Sequence, residues 1–384
     1  MTRWTIDRRT VAAAGLAALL GACSIIPKGA ERPGPVATPT PEPSETALPA
    51  DGDRHRVALL VPMSGSNGNV GQSIANATTM ALLDTNAGNL RITTYDTAQG
   101  PEAAARRAVQ EGNRLILGPL LGSNIPSVLA VARNADVPVI SFSNDTKAAG
   151  PGVFIMGHIP EQSIMRTVEY VRGRGAQNFG ILSPDGDYGE RAEDAMRRAV
   201  AAYGGKVAWT ERYSRGNTSI VSAAERLKQH GGYDTVLIAD GARLSILAAG
   251  ALRSGAAKPR VFGTELWSGE SAITRAAAMN GALFSAVSDN RYKRFVDSYE
   301  TRFGGQPYRI ATLGYDAVLL TLRVARDWKV GRAFPVAELR SSDGFLGLDG
   351  AFRFNRAGVV DRAMEVREVR SGSVVVVDAA PQGF

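Results

Sequence analysis

A single cysteine, three histidines and no dense run of one charge limit the chemistry open to this 384-residue chain. Cys23 stands alone, so neither an intrachain disulfide nor a multi-thiolate metal site can form. His55, His158 and His230 are far apart and lack the H-E-x-x-H spacing of a zinc protease, and no G-x-S-x-G elbow occurs. The glycines behind the first apolar run, Gly65, Gly68 and Gly71, do not have nucleotide-loop spacing, and no Walker lysine follows. The residues thus name no catalytic group, metal site or cofactor, and an enzyme is the reading with least support. Aromatics make up 7% of the chain, and its basic residues are scattered arginines without interleaved aromatics, so nothing marks a nucleic-acid groove.

What is present begins with an export signal. Arg3, Arg8 and Arg9 precede an apolar core from Val11 to Leu20, too short to cross a bilayer, and the run Leu20-Gly21-Ala22-Cys23 ends it. The pattern resembles a bacterial lipoprotein signal, which implies removal of residues 1–22 and lipidation of Cys23 as the membrane attachment. Ser24 after the cysteine resembles lipoproteins sorted to the outer membrane, so the expected location is the periplasm, with anchoring there rather than at the inner membrane. Arg8-Arg9 also allows twin-arginine export, although Asp7 precedes the pair and no Phe-Leu follows. Losing three arginines and one aspartate takes the formal charge from +7 to +5.

Seven prolines between Pro27 and Pro49, among Thr, Ser, Glu and Ala, read as an extended tether over 23–53, rising roughly 3 Å per residue. The rest is longer than one core usually accommodates, which predicts two lobes. From Val57, short apolar runs alternate with amphipathic stretches: strands at Val57–Val61, Leu90–Tyr95, Arg114–Leu117 and Val137–Phe142, then at Phe179–Ser183, Lys206–Tyr213 and Thr235–Ala239. Apolar strands separated by helices predict parallel sheets covered on both faces, so the fold class is α/β with two doubly wound parallel-sheet lobes.

In such sheets ligands sit beyond the carboxyl ends of the strands. Four loops there are small and polar: Pro62 to Gly68 with Ser64, Gly118 to Asn124 with Ser123, Ser141 to Thr146 with Ser143 and Asp145, and Asp185 to Glu190 with Tyr188. Each could equally cap the helix that follows. If the lobes face each other, the first three line one wall of a cleft, with Tyr188 and Glu265 on the other.

The series Val57 to Gly65, Gly118-Pro119-Leu120, Pro138-Val139-Ile140-Ser141, Asp187-Tyr188-Gly189 and Gly347-Leu348-Asp349-Gly350 resembles the type I periplasmic binding proteins of the leucine/isoleucine/valine group over nearly all of residues 55–384. Ala58 to Gly65, Phe142-Ser143-Asn144-Asp145 and Gly263 to Trp267 resemble its lipoprotein branch called penicillin-binding protein activators. The resemblance implies hinge crossings near Gly157, Val287 and Phe345. The first lobe would then hold 54–157 and 287–344, and the second 158–286 and 345–384. It also implies ligand-binding roles for Ser64, Ser123, Ser143, Asp145, Tyr188 and Glu265, with Ser123 toward a carboxylate and Glu265 toward an ammonium. Asp145 stands where relatives carry a neutral hydroxyl; a second acid opposes a carboxylate unless it turns to cap its own helix. Two partner readings follow. One is a receptor presenting an amino acid or similar small polar ligand to an ABC permease; the other is a non-catalytic regulator binding a peptidoglycan synthase.

Overall fold

A computed structural model of the chain describes residues 51–217, 219–256 and 258–381. Cys23, the signal and most of the tether lie outside the described residues. The first lobe is opened by β1 (His55–Val61), α1 (Gly68–Asp84), β2 (Leu90–Asp96), α2 (Pro101–Gln110), β3 (Leu115–Leu117), α3 (Ile125–Ala132), β4 (Val139–Ser141) and β5 (Val153–Ile155). Its five strands are all parallel, in the order β2-β1-β3-β4-β5. The expected strand over 137–142 narrows to β4, because Pro138 has no amide to give the ladder and the chain leaves the sheet after Ser141.

The chain crosses once after β5 and builds the second lobe from α4 (Pro160–Arg172), β6 (Asn178–Pro184), α5 (Asp187–Tyr203), β7 (Lys206–Tyr213), α6 (Ser219–His230), β8 (Thr235–Ile238), α7 (Ala242–Leu252), β9 (Arg260–Phe262), α8 (Ala272–Arg275) and β10 (Leu283–Val287). It returns through α9 (Tyr292–Phe303) and α10 (Thr312–Ala325), forms a small antiparallel sheet of β11 (Phe345–Gly347), β12 (Gly350–Phe354) and β13 (Val360–Arg362), and ends on β14 (Met364–Arg370) and β15 (Ser373–Asp378). The second sheet runs β15-β14-β10-β9-β8-β6-β7, with only the β10–β14 and β14–β15 pairs antiparallel.

Burial explains this layout. β1 and β3 are buried almost throughout, whereas most positions of the edge strands β2 and β7 are only partly buried or exposed. Helices α10 and α1 pack together over the first sheet, and Phe295 and Tyr299 of α9 join Met80 of α1 in a satellite cluster. The expected crossing at Phe345 is corrected by packing. Phe352, Phe354 and Val360 are buried in the first lobe's core, and Val359 bridges to Ile155 beside β5. Residues 345–362 therefore belong with the first lobe, and the third crossing falls at Ala363, between β13 and β14.

Candidate functional site

The carboxyl ends of both sheets meet in a cleft of about 490 Å³. Val70, Leu120, Leu121, Phe142 and Ile310 of the first lobe and Leu266 of the second give it an apolar wall. Ser143, Asn144, His158, Glu265, Ser268 and Arg309 supply its main polar groups.

Glu265 is fixed from below by a tryptophan. It opens a single 3-10 turn, Glu265–Trp267, behind β9. Trp267 is fully buried, and its Nε1 donates to Asp240 O at 2.9 Å and to Ser245 Oγ at 3.1 Å. The indole occupies the space where a side chain at Gly263 would stand: a Cβ there would lie 2.2 Å from the ring. The pinned turn presents a buried Glu265 carboxyl whose Oε2 has no hydrogen-bond partner among the described residues. Burial, reinforced by the charge of Glu161, pushes its pKa up to about 8. Tyr188, at the start of α5, places its hydroxyl 2.9 Å from Thr264 Oγ1 and 3.5 Å from Glu265 Oε1. Burial and the Glu265 charge hold the Tyr188 phenol well above its ordinary pKa, so it remains a neutral donor.

The first-lobe loops divide into those that face the cleft and those that brace it. Ser141 Oγ donates to Pro119 O at 2.8 Å and accepts from Ser143 N at 3.1 Å. Ser143 Oγ in turn accepts from Asp145 N at 3.0 Å. This relay braces the loop, and Ser143 borders the cleft. Asp145 caps its own turn, its Oδ1 accepting from Lys147 N at 3.1 Å, so the acid is spent on backbone. Ser123 is exposed and is not among the cleft's lining residues; the preceding Gly122 lines it, and a Cβ there would meet Ser143 Oγ at 3.0 Å. Ser64 donates to Asp96 Oδ2 at 3.0 Å. Burial works against the Asp96 charge, but the amides of Met63 and Ala98 and the Ser64 hydroxyl outweigh it and hold the carboxyl below its ordinary pKa. The structure thus brings Ser143 and Glu265 to one space. Tyr188 stands behind Glu265 and Thr264 rather than in the lining, and Ser64, Ser123 and Asp145 serve or flank the loops around it.

Sequence reasoning missed the floor. His158 Nε2 lies 2.7 Å from Asp349 Oδ2, and Arg309 Nη1 lies 2.8 Å from Asp349 Oδ1. Burial, with the nearby Arg362 and Arg309, depresses the His158 pKa against the pull of Asp349, so a neutral imidazole donates through Nε2. Arg309 also reaches Asp289, which pairs with Arg367 of β14. One ionic chain therefore touches all three crossings. His158 sits in the first, Asp289 in the second, and Arg367, four residues past Ala363, follows the third. At the mouth, Arg191 of α5 makes a two-pronged pair with Glu161 at 2.8 Å and donates from the second lobe to Asn144 of the first.

The sequence matches the periplasmic binding protein family over residues 55–373. The chain belongs to that family. Its members are receptors, not catalysts. Among individual proteins, it is 26% identical over 176 residues to an uncharacterized protein of Rickettsia prowazekii (strain Madrid E), a stretch that takes in 45% of this chain and 47% of the other. It is 27% identical over 142 residues to the penicillin-binding protein activator LpoA of Glaesserella parasuis serovar 5 (strain SH0165), covering 36% of this chain and 24% of that one. The match thus spans about half of the first relative's length and about a quarter of the second's. The substrate-binding protein LivJ of Streptococcus pneumoniae, solved in complex with isoleucine, superimposes with a TM-score of 0.65 at 20% identity, over 85% of this chain and 100% of that one; the likeness is one of fold.

Proposed function

We propose that this binding protein is a lipid-anchored periplasmic receptor whose cleft takes an amino acid or a similar small polar ligand and presents it to a membrane permease. One observation carries the reading: Glu265 offers an unpartnered, buried carboxylate oxygen to a two-lobed cleft of ligand size. An ammonium there would ionise the carboxyl and supply its missing hydrogen bond. The wall of Val70, Leu120, Leu121 and Phe142 suits an apolar side chain, and the Ser143 hydroxyl suits a polar group beside the ammonium. Asp145 is committed to its own turn and is not among the residues lining the cleft, which lessens its opposition to a ligand carboxylate. LivJ, solved with isoleucine, supports the same ligand class.

The similarity to the activator LpoA supports a second reading, a lipoprotein regulator of peptidoglycan synthesis that binds a synthase. The lipidated Cys23 and the proline tether supply the anchor and reach such a role requires. Two measurements separate the readings. A thermal-shift panel of the standard amino acids should raise the melting temperature of a receptor by mass action, and affinity capture from solubilised envelope should recover a synthase with an activator. Deleting residues 29–49 should impair an activator and leave a receptor's ligand binding intact.

A further inference from the structure

The second lobe carries another concavity, of about 770 Å³, at the amino ends of β8 and β9, opposite the end of the sheet that faces the cleft. Arg174, Arg253, Lys258 and Arg260 line it against a single acid, Asp234. That acid is already used. Its Oδ2 accepts from Gln177 N at 2.9 Å and Asn178 N at 2.8 Å, and its Oδ1 from Thr235 Oγ1 at 2.7 Å. Small residues, Gly175, Gly250, Ala277 and Gly281, leave the floor open.

Arg260 shares the concavity with Asp234 and helps keep that carboxyl ionised, while Arg174, Arg253 and Lys258 have no acid partner among the described residues. Among the described residues Arg253 donates only to carbonyl oxygens, of Pro259 at 3.4 Å, Ala278 at 2.7 Å and Asn280 at 2.8 Å, and its Nη2 has no partner there. Burial without a counter-charge lowers its pKa. Arg174 stacks on the Tyr170 ring at 3.5 Å, which orients its guanidinium. Lys258 is exposed, and among the described residues its ammonium makes no hydrogen bond or ion pair. A half-buried guanidinium paired only with dipoles gains from a ligand that brings negative charge, and two neighbouring arginines with a lysine match phosphate oxygens.

We propose that this concavity binds a phosphate-bearing anion of more than one negative charge, independently of the interlobe cleft. Such a phosphate could be free or part of a lipid headgroup. The purified chain should be titrated calorimetrically with sodium pyrophosphate at low ionic strength and co-sedimented with vesicles of phosphatidylglycerol and phosphatidylcholine. The expected result is saturable binding in one arm, which identifies the source, weakened about tenfold or more by Lys258→Glu. Lys258 is exposed, so that variant should keep the parent's melting temperature, whereas Arg253→Gln carries the risk of unfolding. Glu265→Gln, in the other cleft, should leave the binding unchanged. Absence of binding in both arms, or binding that Lys258→Glu leaves intact, overturns the proposal.

Discussion

Arg191 on the second lobe donates from Nη2 to the main-chain oxygen of Asn144 on the first at 2.6 Å, while Nε and Nη2 grip the two oxygens of Glu161. The Glu161 pair fixes the guanidinium within its own lobe, so the bond to Asn144 acts as a latch across the mouth. Arg191→Ala should cost the closed arrangement about 1 to 3 kcal/mol, the range for a charge-assisted bond. Small-angle scattering of the variant should show a larger radius of gyration and ligand should leave faster. An unchanged radius would remove the latch from the account.

Asp349 is the hub of the floor, taking hydrogen bonds from His158, Arg309 and Thr312. Burial opposes its charge, but Arg309 and His158 outweigh that and hold its pKa well below the carboxylate range. A depressed folded-state pKa contributes stability that is complete above the unfolded value, about 4, and is lost only as pH falls through the folded value. Asp349→Asn strands Arg309 without its main counter-charge and should destabilise the fold by about 3 to 5 kcal/mol, measured by urea unfolding near neutral pH. A loss under about 1 kcal/mol would show that Asp289 alone compensates the arginine.

Gly263→Ala should destabilise the second lobe, since the new methyl group competes with the Trp267 ring for one place. Overpacking of this kind costs about 1 to 3 kcal/mol, and the displaced indole would also strain its bond to Asp240. A drop in melting temperature with altered tryptophan fluorescence is expected. Parental stability would mean that the turn bearing Glu265 is less tightly braced than its packing implies.

The two-lobed architecture was legible because apolar strands and amphipathic helices alternate within short stretches of chain. The positions of Glu265 and Tyr188 behind the ends of β9 and β6 were legible because each follows an apolar run. The Asp349 hub was not: His158 and Asp349 are 191 residues apart, and no local pattern pairs them. The Gly347-Leu348-Asp349-Gly350 motif could be noticed but not explained. The fold supplies its reason, since Asp316 accepts from the amides of Leu348 at 2.6 Å and Asp349 at 3.3 Å, and a Cβ on Gly347 would lie 2.4 Å from that carboxyl. A loop's polarity does not say which of its residues faces inward: Gly122 lines the cleft and Ser123 is exposed beside it. The third crossing was set too early because β11 to β13 are short strands whose partner core lies far back in the chain.

The central claim is that Glu265 receives an ammonium in the cleft. With its pKa near 8, the carboxyl is protonated at neutral pH in the empty protein, and a cationic ligand must displace that proton. In the unfolded chain the same group ionises at about 4.3, so the empty protein should lose stability as pH rises between that value and about 8. Ligand affinity should run the other way, rising up to about tenfold per pH unit below 8. The direct test is calorimetric titration with the strongest binder from the amino-acid panel, in parent and Glu265→Gln, at about pH 6 and about pH 8. The account predicts tighter binding by the parent at the higher pH, with binding by the variant weaker by about tenfold or more and insensitive to pH. Binding by the parent that is independent of pH and survives Glu265→Gln, or no binding by any amino acid, would contradict it.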